Sequence, residues 1–241
     1  MKHTKLTLII FINIYWLISF AYAQRKLVEH IVSTQTVVLR YQTQTDTLRI
    51  PIVSDKYPEL KKALSGKNIF DGDDLATVIK NYGSCGCGMT GLDYDVTFDS
   101  KGVISVILYY NTMAAYPDSY QRWITLDIKT GQVYPITKEI NARGLKWIFD
   151  SYKITLRKRI DADKKTNDDE NVDEYNNLKE TVDSLGRDEL FGKYVFTPKG
   201  IMFSIEKILP HVIETFEPDR DWIVPYNKLK DYKTAGAVIL H

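Results

Sequence analysis

The segment Gly83-Ser84-Cys85-Gly86-Cys87-Gly88 holds both cysteines of the 241-residue chain, so any thiol chemistry starts there. An extended backbone sets residues i and i+2 about 6.6–7.2 Å apart, at or past the disulfide limit, so a bridge needs a bend that Gly86 permits. Four readings stay open: a local disulfide, two unpaired thiols, a redox-exchanging pair, or a soft-metal site of the Cu(I) type. The C-x-x-C helix motif of thiol oxidoreductases is absent. Beyond the first residues the histidines are His30, His211 and His241, far apart and without an H-x-x-x-H pair, which argues against a zinc hydrolase. No G-x-S-x-G elbow and no G-x-x-x-x-G-K phosphate loop occurs. Asp93 and Asp95 stand roughly 7 Å apart on one side of a strand, a spacing that paired-carboxylate glycoside hydrolysis tolerates, but such aspartates are more often simply solvated. No catalytic residue, metal or cofactor is assigned on this basis.

Flat aromatic faces with a few hydrogen-bonding neighbours are the usual chemistry of sugar recognition. Tyr109, Tyr110, Tyr116, Tyr120 and Trp123 cluster around one connection, residues 111–119. Connections held by a rigid sheet carry recognition more often than the sheet itself. Tyr116, Asp118, Tyr120 and Trp123 are therefore the candidate binding residues.

Periodicity sets out the scaffold around these groups. Thr36–Tyr41 and Leu48–Val53 read as short β-branched strands, and Tyr57–Leu64 as a helix ending near Gly66. Asp71–Asp74 lacks the ligand alternation of a calcium loop and reads as an N-cap for a helix carrying Leu75, Val78 and Ile79. From Gly91 the period is two: Leu92, Tyr94, Val96 and Phe98 face one way, Asp93, Asp95 and Thr97 the other. Val103–Tyr110, Tyr120–Asp127 and Val133-Tyr134 continue as a four-stranded meander in one sheet, joined by glycine turns. Leu145, Ile148, Phe149, Tyr152, Leu156 and Ile160 form a single helical stripe, and Lys153, Arg157, Lys158 and Arg159 on the opposite face read as solvated. Asp161–Glu170 is charged enough to be a loop or linker, Val172–Leu185 a second helix ending at Gly186, and Tyr194–Ile205 a hairpin turned at Pro198-Lys199-Gly200. Trp222–Val224 is a last strand. The expected fold class is α+β, an antiparallel meander with packed helices, preceded by a small α/β segment at 24–90.

Residues 1–23 carry a basic start (Lys2, His3, Lys5), an apolar run from Leu6 to Phe20 and the small-x-small pattern Ala21-Tyr22-Ala23, the signature of a cleaved signal peptide. The run is about 15 residues, short of the roughly 20 that a membrane-spanning helix needs. No cysteine follows Ala23, so no lipid anchor is expected, and the protein is expected in the periplasm or outside the cell without a stable membrane anchor. Loss of Lys2 and Lys5 lowers the 32 basic residues to 30 against 31 acidic ones. Such a balance argues against nucleic acid or an anionic membrane as the main partner.

Phe196-Thr197-Pro198-Lys199-Gly200-Ile201-Met202-Phe203, Ile208-Leu209-Pro210-His211 and Ile223-Val224-Pro225-Tyr226-Asn227-Lys228-Leu229 resemble the closing motif of the RsiV C-terminal domain family. Leu126-Asp127-Ile128-Lys129-Thr130-Gly131-Gln132-Val133 resembles its second signature. The resemblance spans residues 91–232 and implies an α+β domain at 91–241. Members of the family include the extracytoplasmic part of a lysozyme-sensing anti-sigma factor and the N-terminal region of a peptidoglycan deacetylase. Two departures stand out: a family Gly-Gly-Ala-His-Pro run is Ala114-Ala115-Tyr116-Pro117-Asp118 here, and a glycine-rich stretch is Glu214–Asp219. The resemblance implies an envelope-facing recognition module whose general function is undefined. With the export signal and the lack of a catalytic constellation added, the expectation is a non-enzymatic binding module whose partner is a cell-wall glycan or an envelope protein. The alternative is an exported thiol redox protein using Cys85 and Cys87.

Overall fold

The computed structural model describes residues 31–166, 172–208 and 218–240, and every element below belongs to the unit Val32–His241. The expected leader at 1–23, His30, His211, His241 and residues 214–217 lie outside the described residues.

Among the described residues, two β-sheets and seven α-helices make an α+β fold. The larger sheet runs in the order β1 (Val32–Tyr41), β2 (Gln44–Val53), β3 (Gly88–Ser100), β4 (Val103–Met113), β5 (Pro117–Asp127). It is mixed rather than purely antiparallel. The chain leaves β2 through α1 (Pro58–Ala63), α2 (Gly66–Ile69) and α3 (Leu75–Cys85) and re-enters beside it, so β3 lies parallel to β2 at Thr47↔Gly91 and Leu48↔Leu92. A boundary at residue 90 falls inside β3, and the β2–β3 pairing joins the 24–90 segment to the rest of the sheet. Asp74 Oδ1 accepts from Thr77 N at 2.7 Å, the N-cap expected for α3. Gly66 opens α2 instead of closing α1.

The second sheet, β6 (Tyr194–Thr197), β7 (Gly200–Phe203) and β8 (Trp222–Pro225), is separate from the one that holds the meander strands β3, β4 and β5. The expected fourth meander strand is reduced to a single bridge, Leu126↔Val133. Residue 97 explains another departure. The β3–β4 register slips between Val96 and Phe98, and a bulge of one residue turns every later side chain to the opposite face. Phe98 therefore leaves the Leu92 face and packs on Phe196, ring centroids 5.7 Å apart.

The bulged face carries the inter-sheet junction, which is polar at its centre. β6 has no neighbour on its outer edge, and the hydroxyls of the large sheet take up that edge's backbone groups. Thr97 Oγ1 donates to Phe196 O at 2.8 Å and Thr125 Oγ1 to Tyr194 O at 3.2 Å, while Ser105 Oγ accepts from Phe196 N at 3.1 Å. Buried Ser105 and Thr125 thus satisfy a strand edge that apolar side chains would leave unpaired.

α4 (Ala142–Thr166) buries Ile148, Tyr152, Leu156 and Ile160, the expected stripe. It runs through 161–166, where a loop was expected, and packs on α5 (Val172–Ser184) through Tyr175, Leu178 and Val182. Its basic face is not merely solvated. Lys153 Nζ donates to Asp183 O at 2.5 Å, Arg157 pairs with Asp183, and Arg159 donates to the carbonyls of Asp219 and Asp221. Two short helices, α6 (Arg187–Phe191) and α7 (Tyr226–Leu229), complete the set. No helix among the described residues is long and apolar enough to cross a membrane.

Candidate functional site

Strand alternation puts Ile107, Tyr109 and Asn111 of β4 on one face with Trp123, Gln121 and Ser119 of β5, because Ile107 pairs with Trp123, Tyr109 with Gln121 and Asn111 with Ser119. The small sheet covers only part of that face. Val195 and Met202 pack on Ile107 and Trp123. Beyond them the face lies open, and a cleft of about 740 Å³ forms there. Tyr109, Asn111, Ser119 and Gln121 are its floor; Lys193, Ser204, Glu206 and Lys207 make one wall and residues 218–221 another.

The floor is preorganised. Trp123 Nε1 can only donate, and it reaches Gln121 Oε1 at 2.9 Å. The oxygen of that amide is thereby engaged, and among the described residues its two N–H donors meet no acceptor. The Asn111 side chain lies against Gly91, where an added Cβ would come within 2.8 Å of Nδ2, so a glycine is needed for the amide to sit where it does. Tyr109 Oη donates to Asp95 Oδ2 at 3.0 Å. Burial first, then Asp95, pushes the Tyr109 hydroxyl up to about 12, which keeps it a neutral donor.

Four carboxylates in or beside the cleft have specific partners. Asp118 takes Lys207 at 3.1 Å and Glu206 takes Lys193 at 3.1 Å, while Asp93 accepts from Arg49 at 2.9 Å and Asp95 from Tyr109. The 218–221 wall is held from α4. Tyr152 Oη donates to Arg220 O at 2.7 Å, Arg159 spans the carbonyls of Asp219 and Asp221, and Arg220 Nη1 donates to Ile205 O at 3.2 Å.

The four candidate binding residues separate in space. Asp118 lines the cleft. Tyr120 lines it only at the margin, since its ring stacks on Tyr110 at 4.6 Å and its hydroxyl reaches Asp71, on the opposite side of the sheet. Trp123 is buried at the covered end of the same face, under Val195 and Met202, and holds the Gln121 amide. Tyr116 sits at the β4–β5 hairpin tip, 76% exposed and outside the cleft. The connection 111–119 is itself shorter than expected, because pairing continues to Met113↔Pro117. Asn111 and Gln121 had a sequence signal: they are polar residues on the same parity as Ile107 and Trp123, marking a face that is dry at one end and wet at the other. Lys193, Glu206, Lys207 and 218–221 had none, since chain crossings bring them in.

Cys85 and Cys87 are joined in a disulfide with Cα atoms 5.2 Å apart, and neither lines the cleft. Gly86 supplies the bend with φ 66°. Among the described residues no group of three or more His, Cys, Asp or Glu side chains is arranged to hold a metal.

No protein-family model matches the chain, and no curated protein does. Among solved structures it is similar to a DUF3298 family protein from Pseudomonas aeruginosa PAO1, with 10% identity over 85% of this chain and 94% of that one and a TM-score of 0.54. It is also similar to a member of the DUF3298 family from Bacteroides fragilis NCTC 9343, with 15% identity over 85% and 93% and a TM-score of 0.49. The likeness to the Pseudomonas protein is one of fold, shared with a family of unknown function.

Proposed function

We propose that this protein is an exported, non-enzymatic recognition module that binds a cell-wall glycan in the cleft between its two sheets. The observation that carries the reading is the Trp123–Gln121 hydrogen bond at 2.9 Å, which orients the Gln121 amino group, without an acceptor among the described residues, beside the Asn111 amide and the Tyr109 ring. Neutral planar amides next to an aromatic edge suit hydroxyl and N-acetyl groups, which both donate and accept. The engagement of Asp93, Asp95, Asp118 and Glu206 by their own donors argues against hydrolysis by those four carboxylates, though Asp219 and Asp221 also line the cleft. The leader-like residues 1–23 and the RsiV-like motifs support an envelope location, periplasmic or secreted.

Titration calorimetry with chitin oligosaccharides and with solubilised peptidoglycan fragments tests the reading. The expected result is saturable binding that weakens about tenfold in Gln121→Leu, with the fold intact, since one to two hydrogen bonds are lost. No binding of either probe, or equal binding by Gln121→Leu, would overturn it, as would turnover of the glycan by the purified chain.

A further inference from the structure

We propose that the Cys85–Cys87 bridge is a thiol–disulfide exchange site that takes two electrons from a dithiol. The placement of the bridge argues against a staple. The ring closes only three residues, and a loop that short removes little freedom from the unfolded chain. The turn it spans is already held by other groups. α3 ends at Gly86, whose left-handed φ of 66° and bond from its N–H to Tyr82 O at 2.7 Å close the helix without any sulfur. The Tyr41 ring lies against Gly86 so closely that an added Cβ would come within 2.5 Å of it, and Tyr82 Oη is tied to Asp46 at 2.6 Å. The turn into β3 is therefore fixed by a cap, a ring and a hydroxyl, and the disulfide is redundant.

Exposure and helix position give the chemistry its direction. Cys85 is exposed and Cys87 half-buried, so an incoming sulfur reaches Cys85 first. Cys85 is the last residue of α3, where the helix carbonyls disfavour a thiolate, and its Sγ lies 3.4 Å from Asn81 O, an acceptor for a thiol hydrogen. Cys87 is thus the better leaving group. The donor's thiolate attacks Cys85 Sγ, forming a mixed disulfide and breaking the Cys85–Cys87 bond, and the electron pair departs on Cys87, which takes a proton. The donor's second thiolate then attacks the donor sulfur of the mixed disulfide. The donor leaves as a cyclic disulfide, and Cys85 is released, protonated, to donate to Asn81 O. The donor is oxidised by two electrons and the protein reduced by two.

The test uses the full chain and dithiothreitol as the donor, with thiols counted by alkylation and mass. Under native conditions the bridge is expected to be reduced at a rate within about tenfold of that in urea, because access is not gated by unfolding. The reduced chain keeps its near-ultraviolet signal and its urea midpoint. With reduced glutathione, a monothiol, the mixed disulfide is expected on Cys85 and the free thiol on Cys87, as read by rapid alkylation and peptide mass. Reduction that proceeds only as fast as the chain unfolds, or a urea midpoint that drops on reduction, would make the bridge a structural staple and overturn the proposal. Glutathione found equally on the two cysteines would overturn the assignment of Cys85 as the attacked sulfur.

Discussion

Two polar constellations in this molecule are built on opposite terms. At one, Glu139 is fully buried and its carboxylate accepts from Val238 N, Ile239 N and Leu240 N at 3.0 Å each and from Tyr134 Oη at 2.6 Å. Its backbone oxygen takes Thr234 N at 2.9 Å, and Tyr194 Oη donates to Tyr134 O. Both carboxylate oxygens are engaged, and what they hold is the last stretch of the described chain. At the other, in the cleft, a tryptophan fixes one end of the Gln121 amide and leaves the other end open. A buried polar group with its partners in place locks a fold, whereas the exposed Gln121 amide is held at one end only, with donors that the proposed glycan would take.

The strongest challenge to this contrast is Glu139→Ala. Three backbone donors and a tyrosine hydroxyl lose their acceptor inside the protein, and unfolding in urea should show a loss of about 3–5 kcal/mol. Glu139→Gln keeps one oxygen acceptor and should fall between the variant and the parent. A loss below about 1 kcal/mol would mean that water replaces the carboxylate and that the node is not closed.

High pH separates the two regions by their tyrosines. Burial, and then Glu139, raises the Tyr134 hydroxyl above its ordinary 10.0, while Tyr109 in the cleft is raised to about 12. In both cases the folded chain keeps a proton that the unfolded chain gives up near pH 10. Their contribution to stability is therefore complete below pH 10 and lost as pH rises from about 10 through 12. Urea midpoints should decline over that window, and Tyr134→Phe should flatten the decline more than Tyr109→Phe, because Tyr109 is half-exposed and its shift is screened.

Arg159→Met probes the link between scaffold and cleft. The substitution keeps much of the apolar stem of the side chain but removes the donors to Asp219 O and Asp221 O, so stability should fall by about 1–2 kcal/mol. Glycan affinity should fall with it, because residues 218–221 form a wall. Calorimetry beside the urea series distinguishes a wall that matters from one that does not: unchanged affinity in Arg159→Met would detach α4 from the cleft.

Arg159 also shows where the reach of the sequence ended. Local periodicity marked the α4 stripe, the β3–β5 strands, the β6–β7 hairpin and the Asp74 cap, because each depends on residues within a few positions of one another. A charged residue on the outer face of a helix looks solvated until a segment about 60 positions later crosses it. The same limit hid the second sheet, whose edge is satisfied by hydroxyls on the first, and the parallel β2–β3 pairing, which only a crossover creates. In the cleft, the aromatic-rich connection pointed to Asp118, which lines it, and to Trp123, which lies at the covered end of the same face and does not line it, and the bulge at Thr97 left no mark in the alternation pattern.

Tyr116 gives the smallest effect and the clearest boundary for the cleft. As an exposed aromatic at the position of a family histidine, it had a strong claim to bind. Pairing through Met113↔Pro117 carries it past the cleft to a tip where its side chain is 76% exposed. An exposed side chain of this kind changes stability by no more than about 0.5 kcal/mol when truncated. Tyr116→Ala should leave both the urea midpoint and the affinity for chitin oligosaccharides at parent values, while Gln121→Leu, five positions along the same hairpin, weakens binding alone. If the two variants weakened binding equally, the ligand would have to extend from the floor over the tip, and the recognition surface would be the hairpin as a whole rather than the cleft between the sheets.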